Sequence, residues 1–277
     1  MNYTNNEKRL PLGRKSLSPE TYDPAQLRAI PRRTGRDQIG LKDNNSLPFF
    51  GEDIWNCWEL SWLDSKGKPA IAVAEIRIPS TTPNIVESKS LKLYLSSFGM
   101  TRIDSPESMK KILAADIGNI VKGTPSVHLI LPDDFNNLQI IKPVGTCIDN
   151  HCIKSVNFTL CPHLLEVDHD QVSETLFSRL IRTRCPVTGQ PDWATVSVTY
   201  TGPRIRPDTL LHYFLGFRQH QGFHENCSEM MFCDILRVCK PDSLTLSARF
   251  TRRGGIDINP YRSTENIFGS NLRDPRQ

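Results

Sequence analysis

The sequence offers no stretch near the ~18 consecutive apolar residues that a membrane helix needs, and its opening, MNYTNNEKRLPLGRKS, has no apolar run of signal-peptide length. A soluble, cytoplasmic protein with no membrane partner is expected. Its eight cysteines include no C-x-x-C pair, and a reducing compartment argues against a disulfide framework, so most are expected as buried apolar fillers. No G-x-G-x-x-G follows a strand-like run and no G-x-x-x-x-G-K-[ST] occurs, which leaves neither a Rossmann site nor a P-loop. His224 and Glu225 begin an H-E-x-x-H, but its last position is Ser228, and Cys233 and Cys239, six apart, do not share a helix face. No metal site is expected. Long lysine and arginine blocks are also missing. The net charge of +4 gives no reason to expect nucleic acid and is satisfied by an anionic small ligand.

With 38% hydrophobic and 23% charged residues in 277, the chain is globular and long enough for one large core or two ordinary ones. Its first fifty residues, rich in Pro, Asn and Arg, read as an ordered arm or loop-rich lead-in. Strand-like CWELSWLD and AIAVAEIRI follow, joined by the turn SKGKP. Next come two helical stretches, SKSLKLYLSSF and SPESMKKILAADIGNIV, the second opened by Ser105 as N-cap and Pro106 in its first turn, and then the strand SVHLILP.

The second half repeats that order. Gly67-x-Pro69 matches Gly189-x-Pro191 at an offset of 122, and Tyr94 to Phe98 matches Tyr213 to Phe217 at 119. Asp116-Ile117 matches Asp234-Ile235 at 118, and Val127 to Leu129 matches Leu244 to Leu246 at 117. Four matches in register point to a duplicated strand-strand-helix-helix-strand unit, each copy an antiparallel sheet with a helix pair on one face. The fold class is α+β. The expected division is an arm over 1–50, a first module over 51–160 and a second over 161–277.

The chemistry gathers in VESKS (86–90), RCPVTGQPD (184–192), FHENC (223–227) and FTRRGG (250–255). Cys185 ends a strand-like run at a Pro/Gly turn, with Arg182 and Arg184 before it, and those cations suit a thiolate. The bland alternative is a cysteine packed under the turn, and for Asp192 a turn carboxylate. Glu87 and Glu225 suit helix starts, and RRGG a solvated hairpin tip.

Taken together, VESKSLKLYL, CPVTGQPDW, GFHENC and ARFTRRGGIDINPYRS resemble the signature segments of the NADPH-dependent 7-cyano-7-deazaguanine reductases, the nitrile oxidoreductases of queuosine biosynthesis. The resemblance is to their long, two-module subfamily, and it extends from RDQIGLK to the C-terminus. It implies two tandem tunnelling-fold modules in a homodimer, each a four-stranded antiparallel sheet with two helices between its second and third strands. It further implies Cys185 as nucleophile forming a covalent thioimide, Asp192 as proton donor, and Val86, Glu87, Ser88, His224 and Glu225 as substrate contacts. Ser88, Lys89, Arg253 and Gly254 match the family's NADPH contacts, and Arg252 is placed to help. Two rival classes are a module that binds deazaguanine or a modified tRNA base, and a cyclohydrolase-like pterin enzyme. A binder needs no thiolate, and a cyclohydrolase needs a metal. With the ESKS run in the first module and Cys185, Asp192, His224 and Glu225 in the second, the active site is expected at a seam between modules.

Overall fold

The computed structural model describes residues 19–42, 46–153, 155–156 and 158–277. Residues 1–18 of the expected arm lie outside them. Residues 43–45 do too. The described part of the arm holds a 3-10 turn at Pro24–Gln26, strand β1 (Ala29–Pro31) and helix α1 (Arg32–Gln38). Gly35 is what lets α1 lie close on a later helix, because a Cβ there would stand 2.5 Å from the Asn226 side-chain nitrogen.

The first half then runs β2 (Phe50–Leu63), β3 (Pro69–Pro79), β4 (Asn84–Val86), α2 (Ser88–Ser96), α3 (Pro106–Val121) and β5 (Ser126–Ile130). The expected cap is present: Ser105 Oγ accepts from the Ser108 amide at 3.1 Å, with Pro106 at the first helical position. Met109, Leu113, Ile117 and Val121 follow at four-residue spacing and are buried, one apolar stripe facing the sheet. After the short β6 (Thr146–Cys147), the second half gives β7 (Val167–Arg184), β8 (Pro191–Ile205), α4 (Pro207–Leu215), α5 (His224–Cys239), β9 (Ser243–Phe250) and β10 (Ile256–Ser263).

Each sequence match is a matched piece of structure. Gly67 and Gly189 both have positive φ, +85° and +68°, in the turns of the β2–β3 and β7–β8 hairpins, where a left-handed backbone favours glycine. Tyr94 donates to Asp116 at 2.6 Å and Tyr213 to Asp234 at 2.8 Å. Tyr94 meets Phe98 edge-on at 5.2 Å, and Tyr213 meets Phe217 at 5.5 Å. The second helix of each pair ends on a left-handed lysine, Lys122 or Lys240.

The eight-stranded sheet has the order β5-β3-β2-β10-β9-β8-β7-β6. It is antiparallel throughout except for the two-residue β6 against β7. The first half brings β5, β3 and β2 side by side, not the four adjacent strands that the resemblance implied, while its short β6 lies at the far edge against β7. The position beside β2 is filled by β10, paired from Phe50↔Ser263 to Cys57↔Ile256. Two apolar cores result. One gathers Trp55, Trp62, Ile76, Leu91, Tyr94, Leu113 and Ile117, with Ile256 and Ile258 of β10. The other gathers Ile181, Val196, Val198, Leu211, Phe214, Phe232 and Leu246, with Phe49 from before β2. Burial of this apolar surface from both halves is the main force holding the sheet and helices together.

Candidate active site

The β7–β8 hairpin closes its last strand pair at Arg184↔Pro191, and Cys185 begins the loop between them. The Cys185 amide donates to the Gln190 carbonyl at 2.8 Å, and the Gly189 amide donates to the Cys185 carbonyl at 2.9 Å. This folds the loop back over the thiol. Partial burial pushes the Cys185 thiol up, but hydrogen bonds from the Thr188 hydroxyl, the Thr188 and Val187 amides and Arg253 outweigh it and leave it below its ordinary value. The expected cations act elsewhere. Arg182 donates to the Arg218 carbonyl at 2.8 Å, and Arg184 to the Gly189 carbonyl at 3.1 Å and Gln219 at 3.3 Å. The loop's own donors, with Arg253, stabilise the thiolate.

Asp192 stands opposite Thr183 in the ladder, is buried, and makes no turn cap. Its Oδ1 lies 3.1 Å from Arg253 Nη2 and its Oδ2 3.4 Å from His224 Nε2. Arg253 also donates through Nη1 to Gln190 Oε1 at 2.7 Å, so one guanidinium ties the carboxylate to the cysteine loop. His224 opens α5, its ring stacked on Phe250 at 3.8 Å and 2°. The next residue, Glu225, is 3% exposed, and its Oε1 is buried with no hydrogen-bond partner among the described residues. Burial first, and the Asp53 charge second, push the Glu225 carboxyl up to about 8.

The first half supplies the facing wall. The β1–β4 ribbon pairs Ala29 with Val86, and the Glu87 amide donates to the Arg28 carbonyl at 2.9 Å. Glu87 is also the α2 N-cap: its two carboxylate oxygens accept from the Lys89 amide at 2.8 Å and the Ser90 amide at 2.7 Å. The helix-start reading of Glu87 is therefore realised in the same residue that faces the pocket. Ser88 and Lys89 follow in the first turn, and Lys92 comes one turn on. Gly254, at the tip of the β9–β10 hairpin, has φ +61°, and a Cβ there would stand 3.2 Å from Lys92 Cε. Burial, then the Arg253 charge, lowers the Lys92 ammonium against the opposing pull of Glu87, Asp192 and Cys185.

Val86, Glu87, Ser88, Lys89, Cys185, Asp192, His224, Glu225, Arg253 and Gly254 all line one pocket of about 300 Å³. These are the residues singled out from the sequence, brought together from the two halves of the chain. Arg252, the nearby helper, is turned instead onto Trp58, 4.8 Å from its ring centre. Lys92, Trp55, Phe223 and Gln190 also line the pocket and were not anticipated. Lys92, four residues after Ser88, was readable from helical spacing. Beneath the pocket lies a buried ion network that the sequence reading also missed. Arg262 bridges Asp53 and Glu229, both at 2.8 Å, while Arg32 pairs with Asp53 at 2.5 Å and Arg36 with Glu229 at 2.7 Å. Among the described residues, no group of three or more His, Cys, Asp or Glu is arranged to hold a metal, and no helix is long and apolar enough to cross a membrane.

Chemically, the pocket combines a thiol with a lowered pKa, a carboxylate between two nitrogen donors, a buried carboxyl oxygen lacking a donor among the described residues, and a cationic rim. Residues 18–129 match the family model described as nitrile reductase, 7-cyano-7-deazaguanine-reductase N-term, and residues 191–267 the one described as QueF-like protein. Curated relatives named NADPH-dependent 7-cyano-7-deazaguanine reductase run nearly the full length. One from Desulfotalea psychrophila is 48% identical over 97% of both chains. One from Cupriavidus taiwanensis is 47% identical over 96% of this chain and 98% of its own, and one from Burkholderia lata 46% identical over 98% and 100%.

Proposed function

This chain belongs to the 7-cyano-7-deazaguanine reductase family, and we propose that it reduces the nitrile of 7-cyano-7-deazaguanine to 7-aminomethyl-7-deazaguanine with two equivalents of NADPH, in queuosine biosynthesis. The observation that carries the reading is one pocket holding Cys185, Asp192 and the unpartnered Glu225 oxygen together.

In this reading the Cys185 thiolate attacks the nitrile carbon and Asp192 gives a proton to the nitrile nitrogen, forming a covalent thioimide. A linear nitrile is a poor hydride acceptor, whereas the C=N of a thioimide is a better one. NADPH, held by Ser88, Lys89, Arg253 and Gly254, supplies one hydride at each of two reductions. The close approach of Gly254 to Lys92, beside Arg253, suits a bound phosphate chain. A second proton enters at nitrogen with the first hydride, giving a tetrahedral carbon that bears sulfur and an amino group. Cys185 then leaves as thiolate, and the iminium left behind takes the second hydride to become the amine. His224, stacked on Phe250 beside Asp192, fixes the proton donor's surroundings.

Glu225 accepts the adjacent N–H groups of the base, a strong contact once water is excluded. Val86, Glu87 and Ser88 close the opposite side. The reading keeps the three-part division at residues 50 and 160, with the site at the seam. It also carries a homodimer in the cytoplasm that binds no nucleic acid directly, the oligomer being checked by light scattering after gel filtration.

The test is intact-mass measurement after mixing protein with 7-cyano-7-deazaguanine in the absence of NADPH. An adduct equal in mass to the substrate, absent from Cys185→Ala, is expected. An adduct that persists in the variant moves the nucleophile elsewhere.

A further inference from the structure

Beside the Cys185 pocket lies a smaller cavity of about 190 Å³, and the two share Pro186, Gly222, Phe223 and Glu225. Among the described residues, three polar atoms of residues on its wall are buried with no hydrogen-bond partner, Glu225 Oε1, Arg32 Nη1 and Asn226 Nδ2, and the first two belong to charged groups. Arg32 is 5% exposed and Glu225 3%. A buried charged donor and a buried carboxyl oxygen left unmatched are costly, and such pairs mark places where a ligand completes the bonding.

Arg32 is held in place from every side but one. Its Nη2 meets Asp53 at 2.5 Å and its Nε donates to Thr82 at 3.3 Å. Its Nη1 stands 3.8 Å from Glu229 Oε1, too far for a hydrogen bond. Helix α1 is pinned as well, by the close approach of Gly35 to Asn226 and by Arg36 on Glu229. Nη1 is thus a fixed donor on the wall of the cavity that also carries the Glu225 acceptor. The edge that satisfies both carries adjacent N–H donors and, next to them, a carbonyl, as the pyrimidinone edge of a guanine-type base does.

We propose that Arg32 is a specificity-determining residue, donating through Nη1 to the ring carbonyl of the base while Glu225 accepts the neighbouring N–H groups. The segment preceding the large sheet then reads one end of the substrate. An analogue with an amino group in place of the carbonyl sets donor against donor and is rejected. This inference rests on the proposed nitrile reductase activity.

The experiment compares kcat/KM for 7-cyano-7-deazaguanine with that for its analogue bearing hydrogen in place of the 6-oxo group, in the wild type and in Arg32→Lys, which keeps the charge against Asp53. The analogue also lacks the N1 proton that Glu225 would accept. That loss is common to both proteins and cancels in the cycle. The drop from substrate to analogue should be roughly 10-fold or more larger in the wild type than in Arg32→Lys, as for a lost hydrogen bond to a charged donor. Equal drops in the two proteins overturn the proposal and leave Arg32 a purely structural cation. If Arg32→Lys shows no cooperative thermal transition, the wild type alone decides. The 6-amino analogue should then be about 10-fold or more worse than the 6-hydrogen analogue, and parity overturns the proposal. Absence of both adduct and turnover with 7-cyano-7-deazaguanine itself overturns the functional reading, and the role of Arg32 with it.

Discussion

Arg253 Nη2 lies 3.1 Å from Asp192 Oδ1, and the same guanidinium donates to Gln190 at the far end of the cysteine loop. A residue matched to the cofactor therefore also touches the candidate acid and steadies the thiolate. Arg253→Ala should raise KM for NADPH and also shift the pH midpoint of Cys185 alkylation upward, because one of the hydrogen bonds that lower this thiol is lost. Iodoacetamide labelling followed by mass spectrometry across pH 6–10 reads the midpoint. A changed KM with an unmoved midpoint would confine Arg253 to the cofactor.

Asp192 is the proton donor of the reading, and its removal should spare binding. Asp192→Asn should hold substrate affinity within a few-fold while lowering turnover by roughly 10²- to 10⁴-fold, the range for losing a positioned acid. Steady-state kinetics with both substrates give the split. A fall of less than threefold would return Asp192 to a structural role.

The Glu225 carboxyl, pushed up to about 8 by burial and by Asp53, is largely protonated at neutral pH in the free protein. Two N–H donors need the ionised form, so binding releases a proton and affinity should strengthen as pH rises, by about tenfold per unit below 8, levelling above it. Calorimetric titration of Cys185→Ala, which binds without bonding covalently, measures this. Glu225→Gln should abolish the slope.

Glu229 accepts from Arg36 and Arg262 in a setting closed to water. Removing it leaves buried guanidinium groups unpaired, so Glu229→Ala should cost about 3–5 kcal/mol in urea unfolding. Arg33, whose side chain is 76% exposed and sits 3.5 Å from Asp37, is the control. Its replacement by Ala should change stability by less than about 1 kcal/mol.

The sequence made the duplicated unit legible because turn glycines, a tyrosine–aspartate pair and an aromatic pair recur at slowly drifting offsets, each with a local structural job. The ten pocket residues came from motif resemblance. Spacing alone left Glu87 and Glu225 as helix starts, and Glu87 does cap α2. The ion network was hidden because Arg32, Arg36, Asp53, Glu229 and Arg262 are charges, and isolated charges in a sequence read as surface. The first half of β2 was missed for a related reason. Residues 52–57 are buried without a break, so no alternation of apolar and polar positions marks the strand. The arginines before Cys185 suggested a thiolate for the wrong cause, since turn amides do not show in side-chain composition.

The β2–β10 ladder also bears on how this molecule comes to exist. Arg262 of β10 donates to the Glu52 carbonyl, 210 residues away in the sequence. During synthesis β2 therefore emerges early and waits, one side unpaired, until nearly all of the second half has been made. Contacts of such long sequence separation slow folding, and a waiting strand edge invites association with other nascent chains. Of the buried charges of β2, Glu52 pairs with Arg77 of the neighbouring β3, whereas Asp53 opposes premature pairing on that strand until Arg262 arrives to complete its ion pairs.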